Sequence, residues 1–213
     1  MLTLSLKTKE QKLYMKIIDK SYLINFEEKV KKIYDSGKIK APIHLSGNNE
    51  DCLINIFKKI KKKDWVFSTW RSHYHALLHG IDPKWLFKEI ESGRSMGIIN
   101  KNRNFYSSAI VGGILPIALG VALAIKRKKQ NKKVWVFIGD MTYETGVFHE
   151  VFKYSKNFKL PIHFVIEDNN LSTNTPTAKA WGKKSKKLND KNITNYSYKR
   201  NFPHHGTGSW ILF

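Results

Sequence analysis

The chain has 213 residues, an apolar fraction of 41% and a formal net charge of +21 at pH 7. This length allows one sizeable domain, or one domain with an appendage. The single cysteine, Cys52, excludes a disulfide framework and a cysteine-rich metal site. With a single cysteine, a cytoplasmic location is the default expectation. The first twenty residues agree with it, because they lack the uninterrupted apolar core of a signal peptide.

The excess positive charge raises nucleic acid, an anionic membrane and anionic ligands as partners. The lysines, however, lie in short clusters at the edges of apolar elements, at 58–63, 126–133 and 183–187. The sequence contains no long basic arm, zinc finger or aromatic-basic RNA motif. We therefore expect neither nucleic acid nor membrane as a partner, although the charge could help to hold a diphosphate or a phosphorylated substrate.

The first half of the chain predicts helices and one strand. Apolar residues recur at helical spacing over 9–38, which predicts one or two amphipathic helices ended by Gly37. A helix is predicted to begin near 48–51, and a strand covers 65–68. In "DPKWLFKEIESG", an aspartate cap, a proline in the first position and a glycine past the end predict another helix.

One uncharged segment, "AIVGGILPIALGVALAI" at 109–125, is slightly shorter than the roughly 18–20 residues that a membrane span requires. It contains Gly112, Gly113 and Pro116. We interpret it as a helix buried in the centre of a soluble α/β protein, where the glycines permit close approach.

The second half predicts a βαβ unit. "KKVWVFIGD" is typical of a strand, "ETGVFHEVFKYSKNFKL" of a helix, and "PIHFVIED" of a second strand. Such continuously apolar strands indicate a parallel sheet covered on both faces. The polar residues 183–195 are predicted to form an exposed loop, after which "YSYKRNFPHHGTGSWILF" returns to strand character.

Polar residues follow both of these strands. Ligands bind at the carboxyl ends of parallel strands, where Asp140 and either Asn169 or Asn170 fall. A carboxylate with an amide or carbonyl suits Mg²⁺, which commonly shares its shell with phosphates. The helix beginning near Thr145 would direct free N–H groups to the same place. The unit thus suggests a magnesium–diphosphate site, although a helix cap and a turn would use the same residue types.

Three blocks make the comparison with known families specific. Gly139-Asp140, followed some thirty residues later by Asn169, resembles the thiamine diphosphate motif of the transketolase and 2-oxoacid dehydrogenase superfamily. "WRSHYHALLHGIDPKWLFKEIESG" and "NFYSSAIVGGILPIALGVALA" are similar to segments of the alpha subunit of the decarboxylating component of 2-oxoacid dehydrogenases. The blocks keep the family's order and cover 65–177, so the chain resembles a shortened alpha subunit.

The resemblance implies an α/β, three-layer thiamine diphosphate-binding fold, with a mostly parallel sheet covered by helices on both faces. It implies an N-terminal helical segment at 1–40 and a diphosphate-type domain at 41–213. The implied cofactors are thiamine diphosphate and Mg²⁺. The implied activity cleaves the bond next to a keto carbon of a small substrate, by 2-oxoacid decarboxylation or dehydrogenation, and passes on the acyl or aldehyde unit.

Site residues follow from the same resemblance. The implied metal ligands are the Asp140 carboxylate, the Asn169 amide and the Leu171 carbonyl. The other implied cofactor contacts are Trp70, Arg71, Ala109, Val111, Gly139, Met141 and Thr142. Met141 departs from the family, which has glycine there for close approach to phosphate, and this puts cofactor affinity in question.

The resemblance also implies catalytic histidines. His73 would lie near the reacting end of the cofactor. "YKRNFPHHG" resembles the family's "YRYHGH"; His204 matches better by its spacing from Arg200, and His205 stays open as an alternative. These side chains would stabilise charge or move protons on the substrate adduct.

A partner chain is expected as well. In the family, the glutamate that activates the aminopyrimidine belongs to a separate pyrimidine-binding domain, and only about forty residues follow the matching blocks here. Glu144, Glu150 and Glu167 are expected to be poorly placed for that role. The resemblance therefore implies a separate beta-type subunit in an α2β2 heterotetramer.

Two alternatives stay open. The short, lysine-rich segment at 183–195 replaces a longer family loop, which favours a transketolase-like or carboligase subunit that acts on sugar or keto-acid substrates without lipoyl transfer. Met141 favours a basic binding module that keeps the fold without the cofactor.

Overall fold

The computed structural model describes residues 18–209 and residue 211, and its elements lie around one six-stranded sheet. The helices are α1 (Lys20–Asp35), α2 (Glu50–Phe57), α3 (His73–Leu78), α4 (Pro83–Glu91), α5 (Ile114–Arg127), α6 (Asp140–Tyr143), α7 (Gly146–Asn157) and α8 (Thr177–Trp181). The strands are β1 (Trp65–Ser68), β2 (Ile99–Asn100), β3 (Phe105–Ser107), β4 (Val134–Gly139), β5 (Ile162–Asp168), β6 (Leu171–Ser172), β7 (Thr175–Pro176) and β8 (Ile193–Ser197).

The large sheet has the strand order β2-β3-β1-β4-β5-β8. All neighbouring pairs are parallel except β2 and β3, and β6 and β7 form a separate antiparallel hairpin. In the β4–β5 pair, Val134 faces Ile162 and Gly139 faces Glu167. The two strands therefore end level with each other, which brings Asp140 and Asn169 to the same edge of the sheet.

Side chains alternate between two cores along the strands. In β4, Val134, Val136 and Ile138 enter one core, while Trp135 and Phe137 enter the other. Helices α1 to α4 contribute to the core that contains Phe137, and α5 and α7 contribute to the opposite one. Because both faces are apolar, both need a helical layer. The predicted three-layer α/β fold with a mostly parallel sheet is confirmed.

Local sequence signals account for the helix ends. The Asp82 carboxylate accepts a hydrogen bond from the Trp85 N–H at 2.8 Å, Pro83 begins α4, and Gly93 follows its end with φ +78°. The helical pattern over 9–38 corresponds to α1, although positions 9–17 lie outside the described residues. The domain division at residue 40 stays a prediction.

The uncharged segment 109–125 differs from its expectation. Helix α5 begins only at Ile114, and it covers the sheet rather than running through the centre, because Ile117 is 44% exposed. Gly112 has φ +74°, and a Cβ on it would lie 2.9 Å from the Val147 side chain. This glycine thus permits close approach to α7. Within the described residues, no helix combines the length and apolarity that crossing a membrane demands.

Candidate active site

A cavity of about 240 Å³ opens at the carboxyl ends of the parallel strands. Segments that follow β1, β3, β4, β5 and β8 supply its walls. The residues implied by the family resemblance that line it are Trp70, Arg71, Ala109, Val111, Gly139, Asp140, Met141, Thr142, Asn169, Leu171 and His204. The topology therefore gathers the predicted metal ligands and cofactor contacts, which are scattered in the sequence, around one space.

The predicted metal ligands lie together in this cavity. Asp140, which is 1% exposed, accepts a hydrogen bond from the Thr177 hydroxyl at 2.5 Å. Burial raises the pKa of Asp140, an effect that the Thr177 hydrogen bond opposes and the nearby Asp168 charge reinforces. The Asn169 side-chain oxygen accepts the Leu171 N–H at 3.0 Å. A carboxylate, an amide oxygen and a carbonyl form a hard-oxygen set that fits Mg²⁺.

This ligand set differs from a cluster of metal-binding side chains. Across residues 18–209 and 211, no group of three or more His, Cys, Asp or Glu side chains is placed to hold a metal ion. The set at Asp140 contains a single carboxylate, and its other members are an amide and a backbone carbonyl. Diphosphate oxygens and water would complete such a shell.

Two arginines add positive charge to the cavity lining. Arg71 donates from Nε to the Leu45 carbonyl at 2.9 Å and from Nη2 to the His204 carbonyl at 3.0 Å. Arg200 donates to the Thr173 carbonyl at 2.9 Å. Burial and the positive charge of Arg71 lower the pKa of Arg200. Arginine suits phosphate because its planar donors match the oxygens of the anion.

Several buried polar atoms around the cavity have no hydrogen-bond partner within the described part of the chain. They are His44 Nδ1, Asn49 Oδ1 and Trp70 Nε1. Since leaving a buried polar group unpaired costs about 1–3 kcal/mol, their position at a cavity wall is typical of a site that a polar ligand completes. Trp70 Nε1 can donate to a phosphate oxygen, whereas Asn49 Oδ1 needs a donor, so these atoms together fit a cofactor that carries both phosphate and N–H groups.

The methionine in the cofactor motif has ordinary backbone geometry. Met141 lies in α6 and is absent from the described residues with positive φ. A glycine's conformational freedom is therefore not required at this position, and a methionine can present its N–H there. The Met141 sulfur also accepts a contact from the Trp181 indole N–H at 2.8 Å.

The three predicted catalytic histidines have different surroundings. His204 lines the cavity, with its ring centroid 4.9 Å from that of His44, and burial together with Arg71 lowers its pKa. His205 is exposed and lies outside the lining. The structure thus favours His204 over His205.

His73 lies behind the cavity wall. It is fully buried; its Nδ1 is 3.1 Å from a Glu27 oxygen and its Nε2 is 2.8 Å from the Ser95 hydroxyl. Both ring nitrogens are therefore committed within the protein, and His73 is not among the residues that line the cavity. This environment suits a residue that positions the adjoining wall, and a catalytic role for His73 stays a prediction.

Sequence reasoning missed several lining residues, among them His44, Asn49, Glu167, Tyr198 and Arg200 as a ligand-facing side chain. His44 is 6% exposed, and burial together with Arg71 lowers its pKa to about 3. It reaches the site through a β-bridge to Gly206. No local pattern signals this position, because the bridge joins two segments that lie far apart in the sequence.

Glu167 was expected to be poorly placed, but it reaches the cavity. Its Oε1 lies 3.2 Å from His75 Nε2 and accepts the Tyr196 hydroxyl, and His75 Nδ1 lies 2.7 Å from the Ser68 hydroxyl. Parallel pairing of β5 with β8 brings Tyr196 opposite Glu167. One carboxylate oxygen is therefore fixed in a buried network at the cavity wall.

The two other glutamates lie outside the lining. Glu144 accepts two contacts from the Ser185 N–H, at 3.1 and 3.2 Å, and Glu150 is exposed on α7. Their positions agree with the expectation that neither reaches a cofactor in this cavity.

The sequence profile of the family described as "Dehydrogenase E1 component" matches residues 19–196. The chain belongs to this family. The match includes β1, β4 and β5 with the turns that carry Arg71, Asp140 and Asn169. It ends before Arg200 and His204, so the family match does not cover that wall of the E1-family cavity.

Curated relatives of this E1-family chain include alpha subunits of the pyruvate dehydrogenase E1 component. The chain is 33% identical over 173 residues to the pyruvate dehydrogenase E1 component subunit alpha of Rickettsia prowazekii, covering 76% of this chain and 53% of the relative. It is 31% identical over 161 residues to the chloroplastic alpha-3 subunit of Arabidopsis thaliana, covering 68% and 38% respectively. The chain spans about half the length of most of these relatives, including those from Rickettsia.

Proposed function

We propose that this chain is an alpha-type subunit of a thiamine diphosphate-dependent enzyme that cleaves the bond next to the keto carbon of a 2-oxoacid. The observation that carries the proposal is the convergence of Asp140, Asn169 and Arg71 on one cavity, at the carboxyl edge of the sheet of an E1-family chain. That edge is where α/β proteins bind their ligands.

Different residues of the cavity would hold different parts of the cofactor. Asp140, Asn169 and the Leu171 carbonyl would hold Mg²⁺. Arg71, with Trp70 beside it, and the N–H groups of Met141 and Thr142 at the Gly139 turn would hold the diphosphate. Backbone groups of Ala109 and Val111 would hold the aminopyrimidine. When bound, thiamine diphosphate would supply a nucleophilic C2 carbanion, and its cationic thiazolium ring would serve as an electron sink.

The remaining wall would act on the substrate. A neutral His204 can accept a proton at a ring nitrogen, and its lowered pKa favours the neutral form. Arg200 lines the same cavity, and a guanidinium can pair with a substrate carboxylate. His44, buried and neutral, adds a donor or acceptor next to His204.

An exposed apolar patch beside the cavity supports a partner chain. Ile110, Val111 and Ile117 are 70%, 52% and 44% exposed, and Val111 also lines the cavity mouth. Clustered exposed apolar side chains mark association sites. We propose that a separate beta-type subunit covers this patch in an α2β2 assembly and supplies the activating glutamate. We also propose that this assembly is cytoplasmic.

Calorimetric titration tests the cofactor assignment. Purified chain is titrated with thiamine diphosphate in MgCl₂ and then in EDTA, and we expect binding only with the metal. Absence of binding under both conditions, with and without the partner, would favour the alternative of a basic module that keeps only the fold.

Steady-state turnover tests the partner. We expect the isolated chain to be silent on 2-oxoacids and on ketose donors, and to become active once the beta-type chain is added. Robust turnover by the isolated chain would contradict this and would point to an internal acid, for which the cavity residue Glu167 is the first candidate. Activity on ketoses alone would favour the transketolase-like alternative.

A matched pair of variants tests the apolar patch. Ile117→Glu places a charge on α5, where Ile117 is 44% exposed. Ile24→Glu places the same charge on α1, in the opposite helical layer, where Ile24 is 39% exposed. We expect the α5 variant to lose the partner in size-exclusion chromatography and the α1 variant to retain it. Equal retention would remove this patch from the interface.

A further inference from the structure

A lysine lies beside the predicted metal ligands. Lys184 Nζ is 2.8 and 2.9 Å from the two Asp168 carboxylate oxygens and 3.1 Å from the Asn170 side-chain oxygen. It is also 3.7 Å from the Asp140 Oδ2 atom. These partners are all hard oxygens at the ends of β4 and β5, the same kind of atom that a divalent cation would bind there.

Backbone contacts fix the segment that carries this lysine. We call residues 184–188 the lysine loop. The Ser185 N–H donates to Glu144, the Tyr143 hydroxyl donates to the Lys186 carbonyl at 3.0 Å, and it accepts the Leu188 N–H at 3.0 Å. Tyr143 belongs to α6, the helix that begins with Asp140, so the lysine loop is fixed to the element that carries the metal-site carboxylate.

The Asp140 and Asp168 carboxylates favour a cation between the ends of β4 and β5. The Asp140 and Asp168 side chains are 1% and 12% exposed, so their negative charges are poorly screened by water. Two lysines reach the Asp168 carboxylate, with the Lys184 Nζ atom at 2.8 Å and the Lys187 Nζ atom at 3.4 Å. Among the described residues, Lys184 is the lysine that lies within 4 Å of both carboxylates.

We propose that Lys184 is a tethered counter-cation that neutralises the Asp140–Asp168 pair in the metal-free chain and competes with the divalent metal for Asp140. The inference rests on the proposed function, because it takes Asp140 as a metal ligand. Metal binding then exchanges one cation for another and moves the Lys184 ammonium outward. As a result, the position of the lysine loop and its contacts with Tyr143 and Glu144 depend on whether the metal is bound.

The test is a Mn²⁺ titration of the metal-stripped full chain without thiamine diphosphate. The electron paramagnetic resonance signal of the free ion measures how much Mn²⁺ is bound. Lys184→Met should bind Mn²⁺ more tightly than the parent by about fivefold, the value that corresponds to one ion pair of this kind. Lys183→Met is the matched control, since Lys183 is exposed and adjacent, and should bind like the parent. Asp140→Asn should remove Mn²⁺ binding in both the parent and the Lys184→Met background.

Unfolding in urea supplies a second readout. In EDTA, Lys184→Met should be less stable than the parent, because the carboxylate pair has lost its counter-cation; in excess MgCl₂ the deficit should disappear. A lysine with a merely structural role would give the same deficit in both media, and that result would overturn the proposal.

The outcomes separate the two assignments. If the parent binds Mn²⁺ through Asp140 and Lys184→Met binds it equally or more weakly, the counter-cation proposal fails and the proposed function stands. If neither binds Mn²⁺ with or without thiamine diphosphate, the metal site itself is wrong and both fail. Tighter binding by Lys184→Met that Asp140→Asn abolishes supports both.

Discussion

The Arg71 guanidinium donates a hydrogen bond from Nη2 to the backbone carbonyl of His204, at 3.0 Å and across 133 residues of sequence. A second donor, Nε, contacts the Leu45 carbonyl at 2.9 Å. Arg71 thus joins the end of β1 to two distant segments that form the same wall. Because a guanidinium has five N–H groups, donors remain for an anion in the cavity.

Replacing Arg71 with alanine is expected to weaken thiamine diphosphate by about 1.5–3 kcal/mol, the range for a hydrogen bond to a charged group. Calorimetric titration in MgCl₂ measures the change. Lys61→Ala removes the same charge from an exposed lysine and should leave the affinity unaltered. Equal losses in the two variants would show that bulk positive charge, rather than a placed arginine, holds the diphosphate.

Asp140→Asn is expected to abolish Mg²⁺-dependent cofactor binding while the chain stays folded. The amide keeps the shape of the buried side chain and can still accept the Thr177 hydrogen bond, but it removes the charge that a hard cation needs. Circular dichroism checks the fold and calorimetry checks the binding. Asp51→Asn, at an exposed carboxylate, serves as the control. Parent-like affinity in Asp140→Asn would refute the ligand assignment.

His204→Gln and His205→Gln should separate the two neighbouring histidines. His204 lines the cavity beside His44, whereas His205 is exposed. With the partner chain present, we expect kcat to fall by about 100-fold in the first variant, the scale of acid–base catalysis, and to change little in the second. The reverse order would transfer the predicted role to His205.

Acidification should destabilise the fold through the buried His79 and the partly buried His163. Burial lowers the pKa of His79 and of His163 from 6.5 to about 4. Below pH 6.5 the unfolded chain therefore takes up protons that the folded chain does not, and the free energy of unfolding falls until about pH 4. Urea titrations across this window measure the slope. His79→Leu should reduce the slope, and an unchanged slope would contradict the contribution of His79.

Local patterns predicted the elements that carry most of the site. Val134–Gly139 and Ile162–Asp168 are apolar enough to identify two buried parallel strands, and their ends place Asp140 and Asn169. Asp82, Pro83 and Gly93 determine α4 by capping geometry that involves only neighbouring residues. These predictions depend on contacts within a few residues or on strand pairing, and the structure bears them out for the fold.

The missed residues depend on contacts between distant segments. His44 enters the cavity because it bridges to Gly206, and Glu167 reaches it within a network that includes His75 and Tyr196. Lys184 belongs to a segment that sequence alone predicted to be an exposed loop, and its contacts depend on Glu144 and Tyr143. No periodicity or spacing in the sequence specifies such pairs, since each is fixed by how separate layers pack.

The bridge between His44 and Gly206 has a consequence for the order in which the molecule assembles. The Gly206 N–H also donates to the Ile43 carbonyl at 2.8 Å, so the wall closes only when two segments that lie far apart in the sequence meet. Contacts of such long sequence separation form slowly, because the loop-closure entropy must be overcome first. A nascent chain can therefore pair β1, β4 and β5 before its cavity is complete. The cofactor would therefore bind at the end of folding, after the sheet has formed.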